Sequence, residues 1–268
     1  MKLLALLLLS ATSLFAGSPD YLIIGAQKAG TTALHRFLNQ HPLALGPNEN
    51  VPRSGEIHYF DDNFDKGEAW YQACFFEKPT PDYITGDKSP YYLFHPLVAK
   101  RVYDLYPHIK LIIVLRNPID RAYSHYWFNV RLGNEPLKSF EKALSAETER
   151  LANEEEKFYR DPLYQSTKHR FFSYLARSRY VEQLKRWLAY FPLEQIHIVD
   201  AADLRDQPQE TLNDVFAFLD LPPFDITPLP DKHKDYPPMR PETRARLKAY
   251  FQPYNQALEA LLNRKFSW

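Results

Sequence analysis

The sequence is poor in several features that mark particular classes of protein. It contains 268 residues but one cysteine, Cys74, so an intramolecular disulfide cannot form and cysteine usage lends secretion no support. Its 33 basic side chains are matched by 33 acidic ones, so no global field draws in nucleic acid. It also has no Asn-x-Ser/Thr site, which weakly disfavours a eukaryotic secretory protein. These absences predict a globular protein without a nucleic-acid partner, in which any polyanion would have to meet a local basic patch.

The N-terminal hydrophobic run is too short to be a comfortable membrane span. It follows Lys2, fills residues 3–16 and ends at Leu14-Phe15-Ala16, which is the pattern of a signal peptide with an imperfect cleavage site. Residues 1–16 are therefore either a signal peptide or anchor, or else a short apolar helix or a misassigned start. The localisation of the protein depends on the same choice. A signal peptide or anchor predicts a secretory protein, or one associated with a membrane through this segment alone, and the other interpretations predict a cytoplasmic protein.

Short apolar strands alternate with helical segments through the rest of the chain. Strands are expected at 21–24, 109–115 and 195–199, with a weaker one ending before Gly86. Helices are expected after Thr32, after Pro118 and over 96–106, 140–157, 180–190, 212–219 and 242 onward, with loops over 46–64 and 221–241. This alternation predicts one α/β domain over residues 17–268, with a central parallel sheet flanked by helices and ligands bound at the carboxyl ends of its strands.

The first predicted strand runs into a glycine-containing loop that is followed by a helix. Such a loop can wrap an anion, because glycine frees the backbone, amide N–H groups point inward and the helix N-terminus adds partial positive charge. The spacing is close to G-x-x-x-x-G-K-[ST], but Thr31 stands in place of the lysine, and the loop's lysine is Lys28. The pattern predicts a phosphate-binding loop, with a plain strand–helix turn as the alternative. Its candidate residues are Lys28, Ala29, Gly30, Thr31 and Thr32.

A second candidate phosphate site follows the strand at 109–115. Arg116 stands at the end of this strand and Ser124 on the helix that follows, so the two side chains can converge on one phosphate. Arginine would supply a charged fork and serine a neutral donor. The alternative is a surface salt bridge for Arg116 and a polar helix face for Ser124.

Acidic and basic side chains in two other segments suggest an acid–base centre. Glu56 and His58 face the same side if their segment is extended, and with Asp61 nearby the Glu56 carboxylate can act as a general base beside a cationic loop. Lys88, next to a proline-fixed turn at a strand end, can point at a transferring group. Taken alone, each motif favours the ordinary interpretation: an exposed Glu–His pair without a function, and a solvated lysine.

A basic run lies in the proline-rich segment near the C-terminus. It contains Lys232 and Lys234, and it either closes over an anionic ligand or is a solvated run of charge.

Taken together, these motifs resemble the sulfotransferases that use PAPS (3′-phosphoadenosine-5′-phosphosulfate), and specifically the branch of heparan sulfate O- and N-sulfotransferases with their bacterial relatives. Residues 21–32 resemble that family's 5′-phosphosulfate loop, and residues 112–124 its 3′-phosphate motif. Residues 56–61 and 86–90 are similar to the segments that carry its catalytic glutamate and second active-site lysine. The likeness continues through 180–187, 191–200 and 266–268, so it covers nearly everything after residue 20.

The resemblance implies a role for each candidate residue in the transfer of a sulfuryl group from PAPS. Lys28 would stabilise the leaving oxygen, Glu56 would take the acceptor's proton, and His58 and Lys88 would orient the acceptor or neutralise the sulfuryl oxygens. The nucleotide would be held by the amides of Gly30, Thr31 and Thr32 at the 5′-phosphate, Arg116 and Ser124 at the 3′-phosphate, and Lys232 and Lys234 in a closing basic loop. The expected product is PAP, no metal is required, and the acceptor is a hydroxyl or amine, with a glycan as the family-level expectation.

Two departures from the family pattern affect these expectations. The residue before the glutamate is usually lysine, but here it is Gly55, with Arg53 two positions earlier. His233 stands where the family's basic loop usually has glycine. A phosphate-loop kinase and a non-catalytic glycan-binding module are the alternatives. Thr31, which stands where the kinase motif needs lysine, argues against the first, and the joint presence of the candidate residues argues against the second.

Overall fold

Five parallel strands form the sheet of the computed structural model, which describes residues 17–48, 51, 55–230 and 236–268. They are β1 Tyr21–Gly25, β2 Ala44–Leu45, β3 Ile84–Lys88, β4 Lys110–Leu115 and β5 Ile196–Asp200. Their spatial order is β2-β3-β1-β4-β5, and every pairing is parallel. The predicted α/β fold with one central parallel sheet is confirmed.

Helices connect the strands and cover the sheet, as parallel pairing requires. They are α1 Thr31–Leu38, α2 Tyr59–Asp62, α3 Glu68–Gln72, α4 Val98–Leu105, α5 Pro118–Arg131, α6 Phe140–Leu151, α7 Glu154–Arg160, α8 Thr167–Phe171, α9 Tyr180–Leu188, α10 Ala201–Asp206, α11 Pro208–Phe218 and α12 Pro241–Leu262. Single 3-10 turns occupy Phe64–Lys66, Ala176–Ser178 and Leu193–Gln195. Within the described ranges, no helix is both long and apolar enough to cross a membrane. The N-terminal segment 1–16, for which a signal peptide or anchor is one prediction, lies outside those ranges.

The strand register brings three strand ends to one edge of the sheet. β1 lies between β3 and β4, with Ile23 opposite Lys88 and Gly25 opposite Ile113. The predicted phosphate-binding loop follows β1, Lys88 ends β3, and Arg116 follows β4. The carboxyl ends of adjacent parallel strands therefore carry the three main cationic candidates, as the switch-point rule for open α/β sheets leads one to expect.

The apolar core lies on both faces of the sheet. β1 is buried along its whole length, and α1 buries Leu34, Phe37 and Leu38 on its inner face. Five aromatic side chains lie near the motifs in the sequence, where stacking on sugar rings and packing in the core are equally open expectations. Four of them are core residues with 4% exposure or less, Tyr59, Tyr91, Tyr92 and Tyr126, whereas Trp127 is partly exposed. Large aromatic side chains of this kind bury much apolar area and so stabilise the fold.

Three local expectations are wrong. Residues 140–157 form two helices, not one, because Asn153 adopts a left-handed conformation (φ 61°) between α6 and α7, and the inner face of α6 is buried. The segment 46–64 is not all loop, since α2 lies in it. Gly86 lies within β3, so the motif that includes Lys88 forms the end of the strand and does not follow it.

Candidate active site

The loop after β1 has the backbone geometry of an anion cradle. Lys28 and Gly30 have positive φ angles of 70° and 115°, and Gly30 caps α1 without any side-chain hydrogen bond. Among the described residues, the N–H groups of Gly30, Thr31 and Thr32 find no protein acceptor, whereas the Ala29 N–H donates to the Ala26 carbonyl at 3.0 Å. Three unpaired N–H groups at a helix N-terminus form a binding site for a phosphate.

The helix that follows β4 turns one face toward this loop. Arg121 donates to the Gln27 carbonyl at 3.3 Å, and the Lys28 ammonium lies 4.1 Å from the centre of the Phe128 ring. Ser124 lies on α5 between Arg121 and Phe128, at helical spacing from both, and shares their face of the helix. Ser124 is therefore on the side of α5 that contacts the loop after β1, and its role at the 3′-phosphate stays a prediction.

Arg116 connects the second predicted phosphate motif to the first. Its guanidinium donates to the Lys28 carbonyl at 2.9 Å, and its own carbonyl accepts a hydrogen bond of 2.8 Å from the Tyr180 hydroxyl. Arg116 is thus held at the loop by main-chain and side-chain contacts, and it forms no salt bridge with any residue that the structure describes.

The Glu56 carboxylate lies at the centre of a charged cluster beside the end of β3. Its Oε1 accepts from the Lys88 ammonium at 2.8 Å, and its Oε2 is 3.1 Å from His58 Nε2. The other ring nitrogen of His58 is 2.8 Å from the buried carboxylate of Asp61. The predicted sharing of one site by Glu56 and His58 is confirmed, and Lys88, 1% exposed, is a partner of the same carboxylate.

Neighbouring charges set the protonation states of this cluster. Burial alone would raise the pKa of Glu56, but the hydrogen bond from His58 and the charge of Lys88 lower that pKa to about 2. Burial alone would lower the pKa of His58, but Asp61 and Glu56 raise it to about 10. At neutral pH the site therefore holds an ionised Glu56 carboxylate against an imidazolium.

A buried carboxylate beneath the cluster holds its backbone in place. Asp87 accepts hydrogen bonds from Tyr92 (2.7 Å) and from Ser89 (2.8 Å), and the Ser89 hydroxyl in turn accepts from the His58 N–H (3.0 Å). The Ile57 N–H also points at Asp87, at 3.5 Å. Because burial raises the pKa of Asp87 to about 6, this support is itself charge-sensitive.

The structure gives a physical reason for glycine where the family usually has lysine. Gly55 has φ 70°, and a Cβ placed on it would lie 2.8 Å from Nε2 of the buried His35 ring on α1. Residue 55 therefore offers an acceptor no side-chain contact. Its glycine instead allows the backbone just before Glu56 to pass close to the His35 ring.

We expect Gly55→Ala to displace Glu56 and to destabilise the protein. The strained φ costs about 1–2 kcal/mol, the ring contact adds about 1–3 kcal/mol, and misplacement of Glu56 should lower kcat by about 10–100-fold. Gly133→Ala is the matched control, because Gly133 has φ 75° with open space around its Cβ position. Chemical denaturation and steady-state kinetics measure both effects; equal losses in the two variants would show that the His35 contact has no influence.

Arg170 is a member of the cluster that motif analysis missed. It forms an ion pair with Asp62 and lies 3.4 Å from His58 Nε2, although more than 100 residues separate it from them in the chain. No local pattern marks it, since its position depends on α8, which packs against α6 and α7 and brings Arg170 to Asp62. Ligand atoms of His58, Asp61 and Asp62 lie within 4.8 Å of one another and could hold a metal ion, but here the imidazolium and the guanidinium already pair with these carboxylates.

Two predicted nucleotide ligands, Lys232 and Lys234, lie outside the described residues, and so does Arg53. Their roles remain predictions.

The adjacent strand ends of this parallel sheet carry an anion cradle, an arginine bound to that cradle and a lysine-paired carboxylate. This arrangement is typical of α/β proteins that bind a phosphorylated ligand at this edge of the sheet. The family model described as "Sulfotransferase domain" matches residues 18–229, and the chain belongs to this family of enzymes.

Individual relatives agree with this assignment. The chain is 33% identical to mouse heparan sulfate glucosamine 3-O-sulfotransferase 5 over 93% of its length and 74% of that protein. It is 29% identical to the membrane-associated sulfotransferase kil1 of Dictyostelium discoideum, over 93% of this chain and 66% of that one. It is 36% identical to the bifunctional heparan sulfate N-deacetylase/N-sulfotransferase 1 of Caenorhabditis briggsae, but covers 23% of that longer protein.

A solved structure also matches the fold. The sulfotransferase from Alicyclobacillus acidocaldarius is 32% identical, with a TM-score of 0.70 over 93% of this chain and 98% of that one.

Proposed function

We propose that the protein transfers a sulfuryl group from PAPS to a hydroxyl or amine of a glycan. The observation that carries the proposal is the junction of the two cationic motifs: Arg116 donates to the Lys28 carbonyl of a loop whose next amides are open to an anion. A donor with a phosphate at each of two positions on its ribose matches this pair of adjacent phosphate sites.

The donor is assigned to the face formed by the loop and α5. The amides of Gly30, Thr31 and Thr32 hold the 5′-phosphate, and Arg116 with Ser124 holds the 3′-phosphate. Lys28 reaches the oxygen that bridges phosphorus and sulfur. The Phe128 ring supports the Lys28 ammonium through a cation–π contact.

Transfer takes place by in-line displacement. The acceptor oxygen or nitrogen forms a bond to sulfur while the bond from sulfur to the bridging oxygen breaks, and the electron pair leaves with PAP. Glu56 accepts the acceptor's proton, and Lys28 stabilises the negative charge that develops on the leaving oxygen. His58 and Lys88 hold the Glu56 carboxylate in position through both of its oxygens.

The proposed acceptor class rests on the relatives. Two of them are named for action on heparan sulfate, at a glucosamine 3-hydroxyl in one case and by N-sulfation in the other. Both chemistries need the same base, so the Glu56 cluster is compatible with either acceptor.

The experiment that tests this proposal is a calorimetric titration with PAP, run beside ATP–Mg²⁺. We expect micromolar binding of PAP. The dissociation constant should rise by about 10–100-fold in Arg116→Ala, because a charge-assisted phosphate contact is removed. Arg160→Ala is the matched control, since Arg160 is 80% exposed and pairs with Glu156 on α7. Absence of PAP binding by the folded protein would contradict the proposal, and binding of ATP–Mg²⁺ in its place would indicate a kinase.

A further inference from the structure

Two arginines are fully buried directly behind the phosphate loop. Arg121 on α5 is 0% exposed, and Arg177, in the 3-10 turn before α9, is 1% exposed. Both bind the same loop residue: Arg121 donates to the Gln27 carbonyl, and Arg177 donates to the Gln27 side-chain oxygen. The residue that precedes Lys28 is therefore held through both of its oxygens by guanidinium groups.

The remaining partners of these arginines are neutral. Arg121 donates to the Ser178 hydroxyl (2.6 Å) and the Tyr174 carbonyl (2.7 Å), and Arg177 to the carbonyls of His169 (3.1 Å) and Arg170 (2.8 Å). In the described part of the chain neither forms an ion pair with a carboxylate.

The surroundings of the two guanidiniums supply little counter-charge. The buried carboxylate of Glu147 interacts electrostatically with both arginines but is not hydrogen-bonded to either. Its oxygens accept hydrogen bonds from the N–H groups of Leu175 (2.7 Å) and Ala176 (2.8 Å). Burial keeps the pKa of the nearby His125 and His169 well below the usual histidine value, so both rings are neutral. Two positive charges are thus buried beside a loop that itself presents N–H groups.

Burying a cation without an anionic partner is unfavourable in the free protein. The two uncompensated charges have an explanation if an anion binds nearby in the ligand-bound state, because fixed charges interact strongly with an anion where water is excluded. The loop next to Gln27 is where that anion binds if the proposed donor is correct.

We propose that Arg121 and Arg177 are positioning residues for the donor: they orient the phosphate loop through Gln27 and supply buried positive charge that the nucleotide phosphates compensate. This inference rests on the proposed binding of PAPS, and neither arginine needs to touch the nucleotide. A purely structural role for the two arginines is distinguished from this proposal by its dependence on ligand charge. A structural role affects every ligand of the loop equally, whereas a buried charge affects a ligand more when that ligand carries more charge.

The test compares PAP with adenosine 5′-monophosphate, which lacks the 3′-phosphate, by calorimetry on the full chain. We expect Arg177→Gln to weaken PAP binding by about tenfold or more and the monophosphate by a smaller factor, because the lost Coulomb energy scales with ligand charge. Arg177→Lys keeps the charge and should recover most of the PAP affinity. Arg101→Gln is the matched control: Arg101 is also buried, donates to the carbonyls of Phe60 and Pro162 and stacks on a ring, but lies away from the loop.

A second variant tests the missing counter-charge without removing an arginine. Gln27→Glu places a carboxylate on Arg177 at the position of the present hydrogen bond, and should raise the melting temperature of the ligand-free protein while weakening PAP binding. A lower melting temperature in Gln27→Glu, or equal losses for both nucleotides in Arg177→Gln, would overturn the inference. Absence of PAP binding in the folded wild-type protein would instead overturn the proposed donor, so the two failures are distinguishable.

Discussion

Glu56→Gln is expected to lower kcat by about 10²–10⁴-fold, since glutamine keeps the size of the side chain but cannot accept a proton. The loss should appear in kcat and hardly in the affinity for PAP, because Glu56 contacts Lys88 and His58 and not the phosphate loop. Glu155→Gln is the matched control, since Glu155 is half exposed and pairs with Arg186 on the surface. Turnover in Glu56→Gln equal to that of the control would remove Glu56 from the mechanism.

The charge state of Glu56 also predicts the shape of the pH profile. A pKa of about 2 means that Glu56 stays ionised throughout the neutral and mildly acidic range, so it contributes no acid limb there. The pKa of His58, raised to about 10, predicts an alkaline limb, because loss of the imidazolium proton removes one of the two partners of Glu56. A His58→Gln variant, measured across the same range, should lose this alkaline limb.

Such an acidic carboxylate constrains the order of events in the transfer. A base with a pKa of about 2 cannot deprotonate a free hydroxyl to a useful extent at neutral pH. In the proposed transfer, this favours a proton that leaves after the bond to sulfur has begun to form, when the acceptor has become more acidic. The fixed position of Glu56 would then matter more than its basicity.

Local signals account for what the sequence predicts correctly. The phosphate loop, Arg116 and Ser124 each lie within a few residues of a buried strand, so strand ends and spacing are enough to place them at one edge of the sheet. Glu56 and His58 are two residues apart and their side chains meet at 3.1 Å, although His58 itself has a left-handed backbone (φ 53°) and begins α2.

Contacts between distant segments account for what motif analysis missed. Arg170 and Arg177 reach the site from the region around α8, roughly one hundred or more residues away in the chain, and nothing in their own neighbourhood marks them as special. The break between α6 and α7 was missed for a different reason: Asn153 in a left-handed conformation interrupts a segment whose composition is favourable to helix on both sides.

Lys28→Ala should reduce kcat by about 10³-fold, because it removes the only side-chain cation of the described phosphate loop, residues 25–32, at the leaving oxygen. PAP should bind with a smaller loss, since the backbone amides of the cradle remain. The fold should be unaffected: Lys28 has φ 70°, and alanine pays the same backbone strain as lysine, so the melting temperature of the free protein should change little beyond the lost contact with Phe128.

Two further variants separate the charge of Lys28 from its packing. Lys28→Met keeps the length of the side chain and its contact with the Phe128 ring but lacks the charge, and should be as inactive as Lys28→Ala. Lys28→Arg keeps the charge with a different reach and should recover part of the rate. Near-normal single-turnover rates in Lys28→Met would show that the leaving oxygen is stabilised elsewhere, and the loop would then be a binding element for the nucleotide without a part in the chemical step.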